Sequence, residues 1–506
     1  MTMQAEAAPR FVPQSATAGR THPLLWWLAL AALLAVAIWL RQVLAANTDV
    51  SWLLTVGERV LSGQRLYVDV IETNPPMAVL VYMPGIVIAH ALGLPVEAVT
   101  DALVFAAIVV SLAIVARILK HSTVLQDLPG WPLALLGFAM LAILPMQSFA
   151  QREHIALIAL LPMLAVMAVR ANGATPSLAA IVVAGVGAGI TVAFKPHFAI
   201  GLLFGIGALA IHARSWRGLF APENFITAAV AAIYVAMVVA RFPEFFTVIM
   251  PLARDVYLPV GVSALALLER PATSLWVIAT VAAWLLKRRG GIDAATLLLL
   301  SVSLGFVVVF FLQRKGWTYH SYPMLALALL ALGYAMLSEA PASRHSRAIG
   351  IGGIVLLAAL FSQSLLWFLA ALDARALQPT VARLGPHPAI LVISGEPAFG
   401  HPLVRAVGGT WVSRQQGLWV ALYVKFLRRD GPLGADRDAV LDRYAARERE
   451  MLIDDIRQHP PTVLLVDNLS DDNTGWLAAH PDVAELLKDF REVETINRVT
   501  ILARRQ

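Results

Sequence analysis

The sequence predicts a polytopic α-helical membrane protein ending in a small α/β domain. Three observations carry this. Of 506 residues, 58% are hydrophobic and only 14% are charged, against about 25% charged in a typical soluble domain. Mean hydropathy is +0.71. The apolar residues fall in about eleven runs, most near the roughly 20 residues that a helix needs to cross a bilayer. After about Arg375 they give way to short β-branched runs between helical patterns.

In chain order, residues 1–23 are polar and read as a disordered cytoplasmic tail. The apolar run after them ends at Arg41 without a small-residue cleavage site, so an uncleaved first span is expected. Over 24–374 the spans are expected at about 24–40, 100–119, 131–149, 154–170, 177–194, 197–212, 224–241, 273–287, 291–312, 322–337 and 348–371. A further run, MAVLVYMPGIVIAHALGL (77–94), is interrupted by Pro84 and Gly85 and can be read either way.

Orientation turns on that run. If it does not cross and the N-terminus is cytoplasmic, the inside loops hold RILKH (117–121), HARSWRG (212–218), KRRGG (287–291) and SRHSR (343–347). These are basic and free of acid, as the positive-inside rule expects. If 77–94 crosses, everything downstream inverts. The first reading is preferred. It places the outer loop 41–99, and the C-terminal domain over 375–506, outside the cytoplasmic membrane.

In that domain PAILVIS (388–394), TVLLVD (462–467) and VTILAR (499–504) read as strands. Residues 436–458 and 483–490 read as helices, and the alternation suggests an α/β fold. It contains no GxGxxG or P-loop pattern, so nucleotide binding has no support there. The net charge of +6 fits basic loops against anionic lipid. No basic stripe with interleaved aromatics points to nucleic acid. The chain has no cysteine, which excludes disulfide, thiolate and Cys–metal chemistry.

Four polar constellations then stand at the outer ends of spans. The first loop, NTDVSWLLTVGERVLSGQRLYVDVIETNPPM (47–77), is polar yet dotted with Trp, Leu and Val, suggesting short helices at the membrane surface. It offers Asp49, with Glu58, Asp69 and Glu72 as weaker candidates, and a helix N-cap or a solvated acid is the plain alternative for Asp49. FAQREHIALIALLP (149–162) offers Arg152, Glu153 and His154, which also suit an interfacial ion pair. AFKPHFAIG (193–201) offers Lys195, which could simply snorkel. QRKGWTYHSYP (313–323) offers Lys315, Tyr319 and His320. Together they bring carboxylates, fixed cations, His and Tyr to one face. Such a set suits moving a group off a phosphate: cations hold phosphate oxygens and a carboxylate takes a proton from an attacking hydroxyl.

At these residues the chain resembles the type C glycosyltransferases (GT-C fold), in the branch containing protein O-mannosyltransferases and lipid A aminoarabinose transferases. The resemblance rests on Asp49 followed by NPPM (74–77), and on Lys315, Tyr319 and Pro323 in the later loop; it covers roughly 24–340. The chain departs from the pattern at Asn74, where Lys is frequent, and at QREH, where the second outer loop frequently offers Asp. The resemblance implies an inverting transfer from a polyprenyl-phosphate-linked sugar to a hydroxyl acceptor in an envelope glycan, lipid or protein. Asp49 would act as general base, and Lys315, with Arg152, Lys195, Tyr319 or His320, would stabilise the leaving lipid phosphate. A divalent cation, Mg²⁺ or Mn²⁺, could join acid and phosphate, although no clear ligand set is visible. The main rival is a transporter or lipid flippase, which would place charges in mid-span; another is an assembly protein that works through its outer domain.

Overall fold

A computed structural model describes residues 23–505, apart from 121, 123, 125–129, 289, 339–343, 430 and 432. The tail expected over 1–23 lies outside these residues, except for Pro23. All eleven expected spans are helical: α1 (Pro23–Val43), α4 (Val96–Leu119), α5 (Gly130–Ala142), α6 (Arg152–Ala171), α7 (Leu178–Phe194), α8 (Ala199–His212), α9 (Pro222–Arg241), α10 (Pro271–Lys287), α11 (Ala294–Gln313), α12 (Tyr322–Ser338) and α13 (Arg344–Leu369). Between α1 and α4 lie α2 (Thr48–Leu61) and α3 (Met83–Leu92). Among the described residues, seven helices are long and apolar enough to cross a membrane.

The expected span 131–149 is helical only to Ala142. Pro145 disfavours α backbone at the residue before it. Beyond it, Met146 and Ala150 adopt left-handed conformations, with φ of 48° and 61°. The run 77–94 breaks into the single turn Met77–Leu80 and α3.

Contacts at the helix ends decide whether that run crosses. On its N-terminal side Ile71 N–H donates to Arg414 O at 2.8 Å. On its C-terminal side Glu97 accepts from Arg405. Both ends thus meet the same C-terminal domain, and the ten residues of α3 span only about 15 Å. The run returns to the side it left. At the opposite end Arg170 pairs with Glu223 (2.6 Å), Lys287 pairs with Asp293 (2.9 Å), and Tyr334 Oη donates to Val124 O (3.4 Å). The eleven helices therefore alternate between a domain end and a far end.

Helices α6 and α12 form the centre of the bundle and are mostly buried, whereas α1, α4, α9 and α13 are mostly exposed. Small residues set the close crossings. A Cβ on Gly187 of α7 would lie 2.2 Å from Ala159 O of α6. The polar residues at the start of α6 and just before α12 are therefore carried by the most enclosed helices, at the domain end.

The C-terminal domain has a five-stranded sheet. Its strands are β1 (Ala389–Ile393), β2 (Thr410–Trp411), β3 (Val463–Asp467), β4 (Phe490–Ile496) and β5 (Val499–Arg504), in spatial order β2-β1-β3-β5-β4. The pairs β1–β2 and β1–β3 are parallel, and β3–β5 and β4–β5 antiparallel. The sequence predicts β1, β3 and β5. It misses β4, reading helix across 483–490, where helix ends at Leu486 and strand begins at Phe490. Asn497 and Arg498, both at positive φ, make the two-residue turn that folds β4 onto β5. Helices α14 (Trp419–Arg429) and α15 (Ala435–Gln458) pack beside the sheet.

This domain covers α2. Residues Val50–Gly57 are buried. Arg405 reaches from the domain to Glu58 (2.7 and 3.0 Å) and Glu97. Arg59 donates to the carbonyls of Trp411 and Ser413.

Candidate active site

The site is assembled at the domain end from four loops. Asn47 caps α2, its Oδ1 accepting from the backbone N–H of Asp49 (2.9 Å) and Val50 (3.2 Å). The cap is thus Asn47, and Asp49 sits in the first helical turn, where a carboxylate is favoured by the helix dipole. Asp49 Oδ2 accepts from Arg152 Nη2 (2.9 Å) and Gln151 Nε2 (3.2 Å). Its Oδ1 takes no donor among the described residues, and the side chain is 24% exposed. It is the most open carboxylate of the cluster.

Arg152 and Glu153 open α6 and are buried. Lys195 ends α7 in extended backbone, as a residue before proline should. Its ammonium donates to Glu153 Oε1 (2.6 Å) and Gln313 Oε1 (3.2 Å), with His320 Nε2 at 3.5 Å. After α11, Arg314 and Gly316 take positive φ. The chain thereby reverses tightly and carries His320 back beside Lys195. The His320 and Tyr319 rings touch edge to face at 4.6 Å.

Several buried polar atoms here have no partner among the described residues: Arg152 Nε and Nη1, Glu153 Oε2, Gln313 Nε2 and His320 Nδ1. Buried polar groups are nearly always partnered, and an unpartnered one costs roughly 1–3 kcal/mol. Their concentration at one place makes this cluster the candidate site, and Arg152 is its most buried guanidinium.

Some expected site residues are occupied elsewhere. Glu72 is buried, and both its oxygens are filled by Trp52 Nε1 and by the backbone and side-chain nitrogens of Asn74. Burial pushes its carboxyl above the usual range. It braces the turn into Pro75-Pro76. His154 accepts from Ala150 N–H at Nδ1 (3.0 Å), so Nε2 carries the proton toward Leu141 O (2.7 Å). The ring lies against Phe149 and Tyr322 and does not face the cluster. Lys315 donates to the carbonyls of Tyr257 (2.6 Å) and Val260. Its ammonium sits 4.0 Å over the Tyr257 ring and 5.3 Å from that of Tyr423. Burial, with Arg314 adding, lowers it to about 8. In this arrangement it fastens the 253–262 segment under α14.

Other residues at the site escaped sequence reading. Gln151 and Gln313 belong to stretches that drew attention for their charges. Tyr257 lies in a π-helical turn, Ala253–Tyr257, a feature often found at functional sites. Tyr423 stacks on it at 5.9 Å from the C-terminal domain. Glu396 of that domain has its carboxyl raised by burial, with Asp49 among the charges that add to the shift. Nothing in the local sequence around 257, 396 or 423 announces a site.

No family model and no curated protein matches this chain. Solved structures do. Over 94% of this chain and 98% of its own, the crystal structure of ArnT from Cupriavidus metallidurans bound to undecaprenyl phosphate superposes with a TM-score of 0.56 at 16% identity. The same protein in the apo state gives 0.56 at 15% identity. Arabinofuranosyltransferase AftD from mycobacteria matches at 0.45 and 16% identity, over 96% of this chain and 40% of its own.

The chain has the GT-C fold. Within this GT-C bundle no three His, Asp or Glu side chains converge among the described residues. Asp49 is paired with Arg152 and Glu153 with Lys195. Both carboxylates already face a fixed cation, and the described residues offer no three-ligand set for a divalent cation.

Proposed function

We propose that this protein is a membrane glycosyltransferase that moves a sugar from a polyprenyl-phosphate donor to an acceptor hydroxyl at the domain end of the bundle. The observation that carries the reading is Arg152: a buried guanidinium with Nε and Nη1 unpartnered, held beside the most open carboxylate of the site. A guanidinium presents a planar fork suited to phosphate oxygens. The undecaprenyl phosphate bound to ArnT supports the donor class.

In this mechanism the donor phosphate accepts from an unpartnered N–H of Arg152, with Lys195 behind it and the Tyr319 hydroxyl at the rim. Asp49 accepts the proton of the acceptor hydroxyl at Oδ1. The oxygen attacks the anomeric carbon from the face opposite the phosphate, and the carbon–oxygen bond to the phosphate breaks. The electron pair leaves with the polyprenyl phosphate, whose developing charge falls on the preorganised cations. Configuration inverts. Buried Glu153 holds Lys195 and His320 in place.

The basic loops 212–218 and 287–291 lie at the far end, which is therefore the cytoplasmic side by the positive-inside rule. The reaction then faces outward from the bacterial inner membrane, with the C-terminal domain in the periplasm.

The test is label transfer from purified polyprenyl-phosphate sugars to membrane extracts, paired with binding of undecaprenyl phosphate. Wild type should transfer and bind. Arg152→Met should lose binding, and Asp49→Asn should bind without transferring. Binding of undecaprenyl phosphate unaffected by Arg152→Met would sink the reading.

A further inference from the structure

Outside the catalytic cluster, a polar cleft of about 700 Å³ lies in the C-terminal domain, between α14, α15 and residues 471–480. This falls within the roughly 300–1,000 Å³ of small-ligand sites. Its lining includes small residues, Gly395, Ala421, Ala445 and Ala446, beside Leu418 and Leu422. Its walls carry Lys425, Arg428 and Arg449 against Asp442, Asp471 and Asp472.

These charges are balanced and already matched. Lys425 pairs with Asp471, Arg428 with Asp442 at 2.6 Å, and Arg449 with Asp482 at 3.3 Å. A phosphate or polyanion would have to break such pairs and leave carboxylates facing it. A neutral hydroxyl donates to the carboxylate and accepts from the cation without separating them. Half-buried Trp476, its ring 4.4 Å from that of His480, adds an apolar surface, and its indole N–H takes no acceptor among the described residues. Alternating donors and acceptors, no net charge and an apolar and aromatic wall together fit an uncharged polyol chain.

The cleft lies on the opposite face of α14 from the Tyr257–Tyr423 pair. Helix α14 turns Ala421, Lys425 and Arg428 to the cleft, while Tyr423 on its other side stacks on Tyr257. Gly395 lines the cleft, and the next residue, Glu396, feels the charge of Asp49. We infer that this cleft binds a neutral oligosaccharide segment of the acceptor and feeds its end around α14 toward Asp49. The inference rests on the glycosyl-transfer reading and names the acceptor class: an uncharged glycan.

The experiment is saturation-transfer NMR and calorimetry on the full chain in detergent, with three neutral pentasaccharides (mannopentaose, arabinopentaose and maltopentaose) and a sulfated polysaccharide as probes. At least one neutral probe should bind. Trp476→Ala and Arg428→Ala should each weaken that binding by roughly tenfold or more, with unchanged circular dichroism. Asp49→Asn should bind like wild type, so the cleft is tested whether or not transfer is ever observed. Absence of neutral-probe binding, preference for the sulfated chain, or binding indifferent to both cleft substitutions would overturn the proposal.

Discussion

The two ends of the bundle both bury charge, and they treat it differently. At the far end Arg170 gives Nε and Nη2 to the two oxygens of Glu223 (2.6 and 2.9 Å). Lys287 pairs with Asp293, which also caps α11 through Thr296. At the domain end Arg152 gives one nitrogen to Asp49 and keeps two unpartnered, and Glu153 keeps one oxygen unpartnered. A saturated buried pair stabilises local geometry and resists removal of either partner. An unsaturated one holds interaction capacity back for a ligand. The same residue types are thus saturated at one end and, in the proposed function, serve chemistry at the other; the difference lies in the donors and acceptors left over.

Substitutions can break this contrast. The largest expected effect is Asp49→Asn, which should lower sugar transfer by about 10³-fold while leaving the thermal midpoint near that of wild type. A loss below about tenfold would remove Asp49 as base. Next comes a matched pair. Arg152→Lys should lose about 10²-fold in transfer, as when one donor to a developing negative charge is removed. Arg170→Lys should lower the thermal midpoint by a few degrees and leave transfer within about twofold. Equal effects of the two on transfer would erase the distinction between the ends.

A pH experiment sharpens it further. Glu448 of α15 accepts from the N–H groups of Val420 and Ala421 at the start of α14 (2.9 and 2.8 Å). Burial raises its carboxyl from an ordinary 4.5 to about 8. The folded state then holds a proton that the unfolded chain releases between those values. The stability this contributes is complete below about pH 4.5 and is lost as pH rises through about 8. Thermal melts should show that slope, and Glu448→Gln, which keeps a neutral side chain there, should flatten it.

The smallest expected effect is Lys315→Met. If Lys315 only fastens Tyr257 and Tyr423, about 1–2 kcal/mol of cation–π and hydrogen-bond contact is lost. Hydrogen exchange over 253–262 should then speed up while transfer falls less than about fivefold. A loss near 10²-fold would return Lys315 to the phosphate.

The fold was largely legible because hydropathy is a local property. Eleven apolar runs became eleven helices, and β-branched runs became β1, β3 and β5. The failures have local causes as well. Strand β4, REVETI, is exposed along most of its length, so no alternation of buried and exposed residues marks it. The site was legible in part. Asp49, Arg152, Glu153, Lys195 and His320 stood out because charge at a span end is costly and noticeable. Glu72 and His154 stood out for the same reason but spend their polar atoms on neighbouring backbone and indole groups, which only three-dimensional contact reveals.

By itself, then, the sequence determined the membrane class, the helical periodicity and the set of ionisable residues at one face. Only the tertiary structure decided that 77–94 turns back, because Ile71 and Glu97 meet the same domain. It alone decided which charges are saturated, and it brought Tyr423 of the C-terminal domain against Tyr257. The physical reason is range. Hydrophobic burial is written residue by residue along the chain, whereas hydrogen-bond satisfaction depends on partners a hundred or more residues away, as between Asp49 and Arg152.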